Sequence, residues 1–429
     1  MSDDVLNRGA RALGRALHQI VHPQHDEERA RLDRLAEAQR AELQAVRKQL
    51  DDVTQQLGKF ALARDIQRID SHVDELRETS ARQTEASARQ YKVMAQALKR
   101  ADWDEELRVV ERRVNHRLTR LKRSSQPVVV GPWTGEVGFE LLYWIPFVTW
   151  ALRHAGVPPE RIYVVSRGGP RSWYAHLGGH YLDIFSHVTP ARFRDATEAV
   201  KKQRTLGAFD REMVKHAVAS FGLKRPFLLH PGLMYKLFNP FWKQQVTVRR
   251  VENYTSYQTI AKPVIPELAG RLPDDYVAVR FYFSDSFPDT AENRAFVEST
   301  VRALTAERHV VMLNAGLKVD DHSDYSPERA SRIHTFDDLM DPPRNLDVQT
   351  ALIANAKAFI GTYGGYSYLA PLLGVPSIAF YAVRDGFFQH HLELADRVFR
   401  QLNAGSLVPL DVRDAGLVRM AFGPGIATR

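Results

Sequence analysis

Phe359-Ile360-Gly361-Thr362-Tyr363-Gly364-Gly365-Tyr366-Ser367-Tyr368-Leu369-Ala370-Pro371-Leu372-Leu373-Gly374-Val375-Pro376-Ser377-Ile378 is the stretch on which the reading of this chain turns. An apolar run enters a glycine turn, a helix-forming run follows, and Leu-Gly-Val-Pro returns the chain to a second apolar run. A strand that feeds a helix through glycines leaves the helix's first N–H groups and positive dipole end unpaired, which suits an anion. Gly364 and Gly365 let backbone approach such a ligand, and Tyr366 and Ser367 add hydroxyls.

Outward from this stretch, strands and helices alternate. Tyr276 to Phe283 reads as a buried strand, Glu292 to Glu307 as a helix, His309 to Leu313 and Ser331 to Phe336 as strands, and Leu346 to Ala356 as a helix. Upstream, Val128 to Val130 ends in a loop from Gly131 to Gly138, Phe139 to Ala155 has helical apolar spacing despite Pro146, and Arg161 to Ser166 is a strand closed by Arg167-Gly168-Gly169-Pro170. Such alternation predicts mostly parallel sheets covered on both faces. The expected fold class is α/β, with two Rossmann-like modules at 126–265 and 266–400, a tail at 401–429 packing on the body, and a ligand cleft at the strand carboxyl ends.

The first quarter of the chain has a different character. Between Glu27 and Lys122 there is no proline and one glycine, Gly58. Leu32, Leu35, Leu43, Val46, Leu50, Val53, Leu57 and Phe60 recur in steps of three and four around Gln39, as a heptad seam requires. The spacing predicts an N-terminal α-helical coiled-coil stalk over 26–124 that self-associates into a homo-oligomer. Residues 1–25 set Leu6, Leu13, Leu17 and Ile20 against Arg8, Arg11 and Arg15. That pattern fits either an amphipathic helix in peripheral contact with an anionic membrane or a helix packing on the body.

Composition narrows the chemistry. With no cysteine, thiolate zinc sites, disulfides and cysteine nucleophiles are excluded. The charge of +8 fits attraction to nucleic acid, anionic lipid or phosphorylated small molecules. Basic and acidic residues interleave along the stalk, so nucleic acid is not expected as a partner. No apolar run is long enough to span a membrane, and the expected location is cytoplasmic, including the inner membrane face. The P-loop, the G-x-S-x-G elbow, H-E-x-x-H and a strand-borne D-x-D are all missing, and Asp320-Asp321-His322-Ser323-Asp324 reads as a solvated turn. No metal site is expected.

The segment at 359–378 resembles the C-terminal half of GT-B glycosyltransferases, particularly inverting fucosyltransferase- and heptosyltransferase-like enzymes. In these a strand, a Gly/Ser-rich turn and a helix followed by L-G-x-P hold the donor's phosphates. The resemblance implies a GT-B-like transferase taking a nucleotide sugar and a glycan or other hydroxyl acceptor, without cofactor or required metal. Retaining members often carry a Glu at the start of this helix, and the turn from Tyr363 to Tyr368 has none, which favours inversion. Arg280 resembles the basic residue placed near the donor diphosphate. Asn314, Gly316 and His334 join it on the donor side with Tyr363, Gly364, Gly365, Tyr366 and Ser367, and Lys318 and Asp347 are weaker candidates. An acidic residue near the first loop faces the acceptor in similar enzymes, which makes Glu136 the first candidate base and Glu140 the second. The alternative for either is a helix-terminus residue favoured by the dipole. Trp133 and His230 are the acceptor-side candidates.

Two other readings compete: a sugar-nucleotide epimerase of the same architecture, and a non-catalytic coiled-coil scaffold whose body binds a nucleotide or glycan.

Overall fold

The computed structural model describes residues 23–57, 71, 74–76, 78–82, 85, 107–198, 202–313, 323–327, 330–384 and 389–415. The chain divides into two compact units, Met1–Glu105 and Glu106–Arg429.

In the first unit, helix α1 spans Pro23–Leu57. Its seam residues Leu35, Val46 and Val53 are each about half exposed, so the single chain does not bury them. The expected amphipathic segment at 1–25 lies almost wholly outside the described residues.

The second unit begins earlier than the composition change at 124–127 suggests. A helix over 107–123, α2, turns Leu107, Val114, Leu118 and Leu121 into the core of the body. The same three- and four-residue spacing that reads as a coiled-coil seam here packs intramolecularly, because periodicity fixes which face is apolar and not what covers it. Arg250 bonds Glu111 on the flank of α2, and Arg117 donates to the carbonyl of Leu228 at 3.0 Å.

The first sheet holds β1 (Val128–Val130), β2 (Ile162–Ser166), β3 (His180–Asp183) and β4 (Phe227–Leu229) in the order β3-β2-β1-β4, all parallel. The edge strand β4 therefore has its Leu228 carbonyl satisfied by Arg117. Around the sheet lie a helical run α3, then α4 (Pro190–Thr197), α5 (Ala208–Ser220), α6 (Gly232–Trp242) and the short α7 (Arg249–Glu252). The run α3 comprises Val137–Phe139, a π-helical segment Glu140–Trp144 and Ile145–Ala155. Ile145 N–H reaches back to the carbonyl of Glu140, and this wider turn lets Pro146 enter the helix at a position that needs no donor.

The second sheet holds β5 (Tyr276–Arg280), β7 (His309–Met312), β9 (Ile333–His334), β10 (Phe359–Thr362), β11 (Ser377–Tyr381) and β12 (Leu407–Asp411). Its order is β12-β11-β10-β5-β7-β9, again parallel throughout, and β6 (Tyr282–Phe283) pairs antiparallel with β8 (Ser323–Asp324). Helices α8 (Ala291–Glu307), α9 (Asn345–Ala354), α10 (Gly365–Leu372) and α11 (Gln389–Leu402) cover it. The module extends past residue 400, because β12 is its edge strand, a place that tolerates Pro409.

The two sheets share one core. A continuous apolar cluster runs from Val128, Trp133 and Phe147 of the first module to Tyr276, Phe359 and Leu369 of the second.

Candidate functional site

The loop leaving β1 and the turn leaving β10 meet. A Cβ built on Gly365 would stand 2.6 Å from Val137 Cγ1, and one on Gly138 would stand 3.5 Å from Gly365 Cα. The carboxyl ends of a central strand in each sheet thus converge on one place. The amino-terminal end of α10 accordingly packs against the first module's loop. Its own turn is tightly bonded: Gly364 N–H donates to Ser367 Oγ at 3.2 Å, and that hydroxyl donates to the Gly364 carbonyl at 2.6 Å. The hydroxyls of Tyr363 and Tyr368 bond each other, and Tyr282 donates to the Tyr363 carbonyl at 3.2 Å. Burial, outweighing the bond to Tyr368, pushes the Tyr363 hydroxyl up to about 12.

Arg280 closes β5 beside this turn, in register with Gly361 of β10. Its guanidinium lies 4.3 Å from the centre of the Tyr366 ring, donates to both carboxylate oxygens of Asp324 at 3.2–3.3 Å, and reaches Gln349 Oε1 at 3.3 Å. The fork is therefore held over the ring of Tyr366, the second residue of α10. Arg280 thus brings a fixed guanidinium, its charge shared with Asp324, to the positive end of the helix.

On the other side, Glu136 is exposed in extended backbone one residue before α3. Next to it stands an aromatic face in which the half-buried Phe139 packs edge-on to Trp242 at 5.1 Å and against Tyr235 at 6.3 Å. The Lys202 ammonium sits 5.0 Å from the Phe139 ring and 5.8 Å from that of Trp242. Burial raises the Tyr235 hydroxyl, and the nearby Glu136 charge adds to the shift.

Glu140 is in a different environment. It is fully buried: Oε1 accepts from Ser166 Oγ and Tyr174 OH, both at 2.6 Å, and Oε2 has no partner among the described residues. Burial raises its pKa to about 7, against the pull of Arg167 and the two hydroxyls. It presents no oxygen to an acceptor. Asp183 ends β3 and gathers the backbone N–H groups of Gly169 at 2.6 Å and Phe185 at 2.8 Å, with the Tyr181 hydroxyl at 2.9 Å. Burial still lifts it to about 6.

The loop that Asp183 shapes clasps the second module. Gly169, at φ 81°, lies against the Pro343 carbonyl where a side chain has no room. Gly168 accepts from Leu346 N–H at 2.7 Å, Asp347 accepts from Ser172 N–H at 3.1 Å, and Trp173 Nε1 donates to Thr350 at 2.9 Å.

The remaining candidates are dispersed. Trp133 is fully buried and stacks on Trp144 at 5.8 Å and Tyr235 at 6.2 Å, so it is a core residue with no solvent face. His230 donates from Nε2 to Asp210 at 3.2 Å and accepts the Gly232 N–H at Nδ1 at 3.0 Å, which engages both nitrogens in a structural network. His334 sits on edge strand β9, two strands from β5, against His309 at 2.9 Å. Asn314, Gly316 and Lys318 lie outside the described residues. Sequence reasoning missed Asp324, read as part of a solvated turn, and Gln349, an unremarkable helix residue. Neither carries a local signal, since each is defined by its contact with Arg280.

No family model and no curated protein matches the chain. Among solved structures it is similar to the iron-containing dodecameric glycosyltransferase TibC from enterotoxigenic E. coli H10407, with 13% identity, 62% of this chain and 61% of that chain covered, and a TM-score of 0.35. It is similar also to a family 9 glycosyl transferase from Veillonella parvula DSM 2008 (14%, 70% and 89%, 0.36) and to E. coli heptosyltransferase WaaC with ADP (14%, 68% and 97%, 0.35). The match thus spans about three-fifths of the TibC chain.

Proposed function

We propose that this protein is a glycosyltransferase of GT-B type that moves a sugar from a nucleotide-sugar donor to the hydroxyl of a glycan or similar acceptor. The observation that carries the reading is Arg280, held by Asp324 and Gln349 over Tyr366 at the start of α10, where that helix meets the Glu136 loop. A departing nucleoside diphosphate needs positive charge, and a fixed guanidinium beside a helix N-terminus supplies it with no reorganisation.

Transfer in this reading is a single inverting displacement that needs no metal. Glu136 takes the acceptor's hydroxyl proton, and the oxygen attacks the anomeric carbon from the face opposite the leaving group. The bond to the diphosphate oxygen breaks, and its charge is drawn to Arg280. Glu136 is preferred over Glu140 because it is exposed at the meeting point of the modules, whereas Glu140 is enclosed. The Phe139–Trp242 face beside Glu136, with Lys202 above it, offers an apolar surface for a sugar ring. The exposed Leu35, Val46 and Val53 of α1 fit a homo-oligomerising stalk.

The test is calorimetric titration of the purified protein with UDP, GDP, ADP, CMP and dTDP sugars, with and without magnesium, followed by product analysis with hydroxyl acceptors. Binding of a nucleotide sugar and acceptor-dependent release of nucleotide are expected. A donor converted without any acceptor would replace transfer by epimerisation, and no binding to any donor by a well-folded sample would overturn both.

A further inference from the structure

Helix α2 carries a dense run of positive charge, and the transferase reading makes no use of it. The helix has seven basic residues, Arg108, Arg112, Arg113, Arg117, Arg120, Lys122 and Arg123, against one acid, Glu111, a net +6 that follows the acidic run Asp102, Asp104, Glu105 and Glu106 in the sequence. Glu111 is on the flank of the helix, bonded to Arg250 and Tyr254. Leu107, Val114, Leu118 and Leu121 face the body, so helical geometry sends Arg112, Arg113, His116, Arg120 and Arg123 to the opposite side, where all five are exposed. Positive charge is dense enough there for Arg120 to add to partial burial in lowering the pKa of Arg117.

The charge continues past the end of the helix. Arg161 donates to the carbonyls of Ser124 and Gln126, and Phe227 N–H donates to the carbonyl of Pro127 at 2.7 Å, which brings the exposed Lys224 and Arg225 to the same edge. This is the amino-terminal edge of the first sheet, opposite the strand ends that carry the candidate site. Favourable placement of cations at a helix C-terminus accounts for Arg120, Lys122 and Arg123 in the last turn, but not for Arg112 or Arg113 about three turns from the end.

We infer that the outward face of α2, with Lys224 and Arg225, docks on anionic phospholipid headgroups. From Arg112 to Arg123 the stripe runs about 17 Å at the rise of an α-helix. It meets a plane of phosphates with a line of charges and inserts nothing, because the apolar side of α2 is already spent on the body. A protein partner would need an apolar or aromatic anchor, and single-stranded nucleic acid a stacking ring. The described residues of the stripe offer only Val109, half-buried and small, and no Phe, Tyr or Trp ring, and the nearby Phe227 is buried with the Arg117 guanidinium 5.1 Å from its centre.

The experiment is co-sedimentation of the full chain with vesicles of phosphatidylcholine alone and of phosphatidylcholine mixed equally with phosphatidylglycerol. It is repeated for R113E/R120E/R123E and for R113K/R120K/R123K, with thermal melting to establish that each is folded. Binding is expected only to the anionic vesicles, lost at about 0.5 M salt where charges are screened within a few ångströms. It should weaken at least about tenfold in the glutamate variant and persist in the lysine variant. The inference is overturned by no binding to anionic vesicles, by full binding in the glutamate variant, or by tighter binding to duplex DNA or RNA than to vesicles at the same salt.

Discussion

Gly365 and Val137 belong to different modules and touch so closely that a single added methyl would come within 2.6 Å of the valine's Cγ1. Glycine here serves close packing between the two strand ends, in addition to whatever a bound anion asks of it. Gly365→Ala should therefore act as overpacking, lowering stability by about 1–3 kcal/mol and displacing the loop that carries Glu136. Thermal melting reads the first effect and donor titration the second. A wild-type melting temperature in G365A would show that the contact yields freely.

Arg280 is positioned by three groups, so its removal and its conservative replacement should differ in kind. Arg280→Ala should weaken donor diphosphate binding by one to two powers of ten, roughly the worth of a charge-assisted bidentate contact. Arg280→Lys should recover little of it, because a point ammonium cannot span Asp324 and Gln349 while lying over Tyr366. Binding heats for free nucleoside diphosphates measure this, and an unchanged affinity in R280A would remove Arg280 from the site.

If Glu136 is the base, Glu136→Gln should lower kcat by about two to four powers of ten with little change in the KM for donor. Glu140→Gln should have no such effect on kcat when assayed well inside its stability range. Steady-state kinetics on the two variants separates an exposed acid at the module junction from one enclosed beneath it.

Glu140 should instead appear in the pH dependence of stability. Its pKa is raised from 4.5 to about 7 by burial, so the folded state keeps a proton that the unfolded chain gives up. The protein thus has its full stability with respect to this group below pH 4.5, and loses it as the pH rises through about 7. Integrated over the shift, that loss is on the order of 3 kcal/mol. Asp183, raised from 3.8 to about 6, contributes with the same sign over a lower window. Glu140→Gln should flatten the Glu140 portion of the curve, because a neutral side chain still accepts from Ser166 and Tyr174. Urea unfolding at a series of pH values is the measurement, and an equal slope in E140Q would show that the carboxyl is already ionised in the folded protein.

Much of the fold was legible because it rests on periodicity and on glycine. Val128 to Val130, Tyr276 to Val279 and Ala358 to Ile360 are apolar in unbroken runs because both faces of their sheets are covered, and such runs stand out in any sequence. Strand β12 did not stand out, since Pro409 speaks against a strand until the strand is known to be an edge. The site was legible on one side only. Arg280 and the glycine turn follow strands, a place where ligand contacts concentrate, but Asp324 and Gln349 are tied to Arg280 across 44 and 69 residues of chain. Trp133 reads as a loop aromatic and lies in the core, because a loop that follows a central strand has protein on both sides.

The boundary between the first unit and the body shows most clearly what spacing leaves undetermined, and it can be tested by truncation. Val110, Val114, Leu118 and Leu121 continue the rhythm of Leu35 to Val53, yet they are packed against or buried in the core of the body. Removing residues 1–105 should leave a body whose melting temperature is close to that of the full chain. Removing residues 1–125 should strip Leu118 and Leu121 from that core and release the Leu228 carbonyl from Arg117. At about 2–5 kcal/mol for each buried leucine lost, the shorter fragment should melt far lower or fail to fold. The single substitution Leu118→Ala in the full chain should cost within that range by itself. Equal melting of the two truncated forms would assign α2 to the first unit, and with it restore the boundary that the composition change at 124–127 suggests.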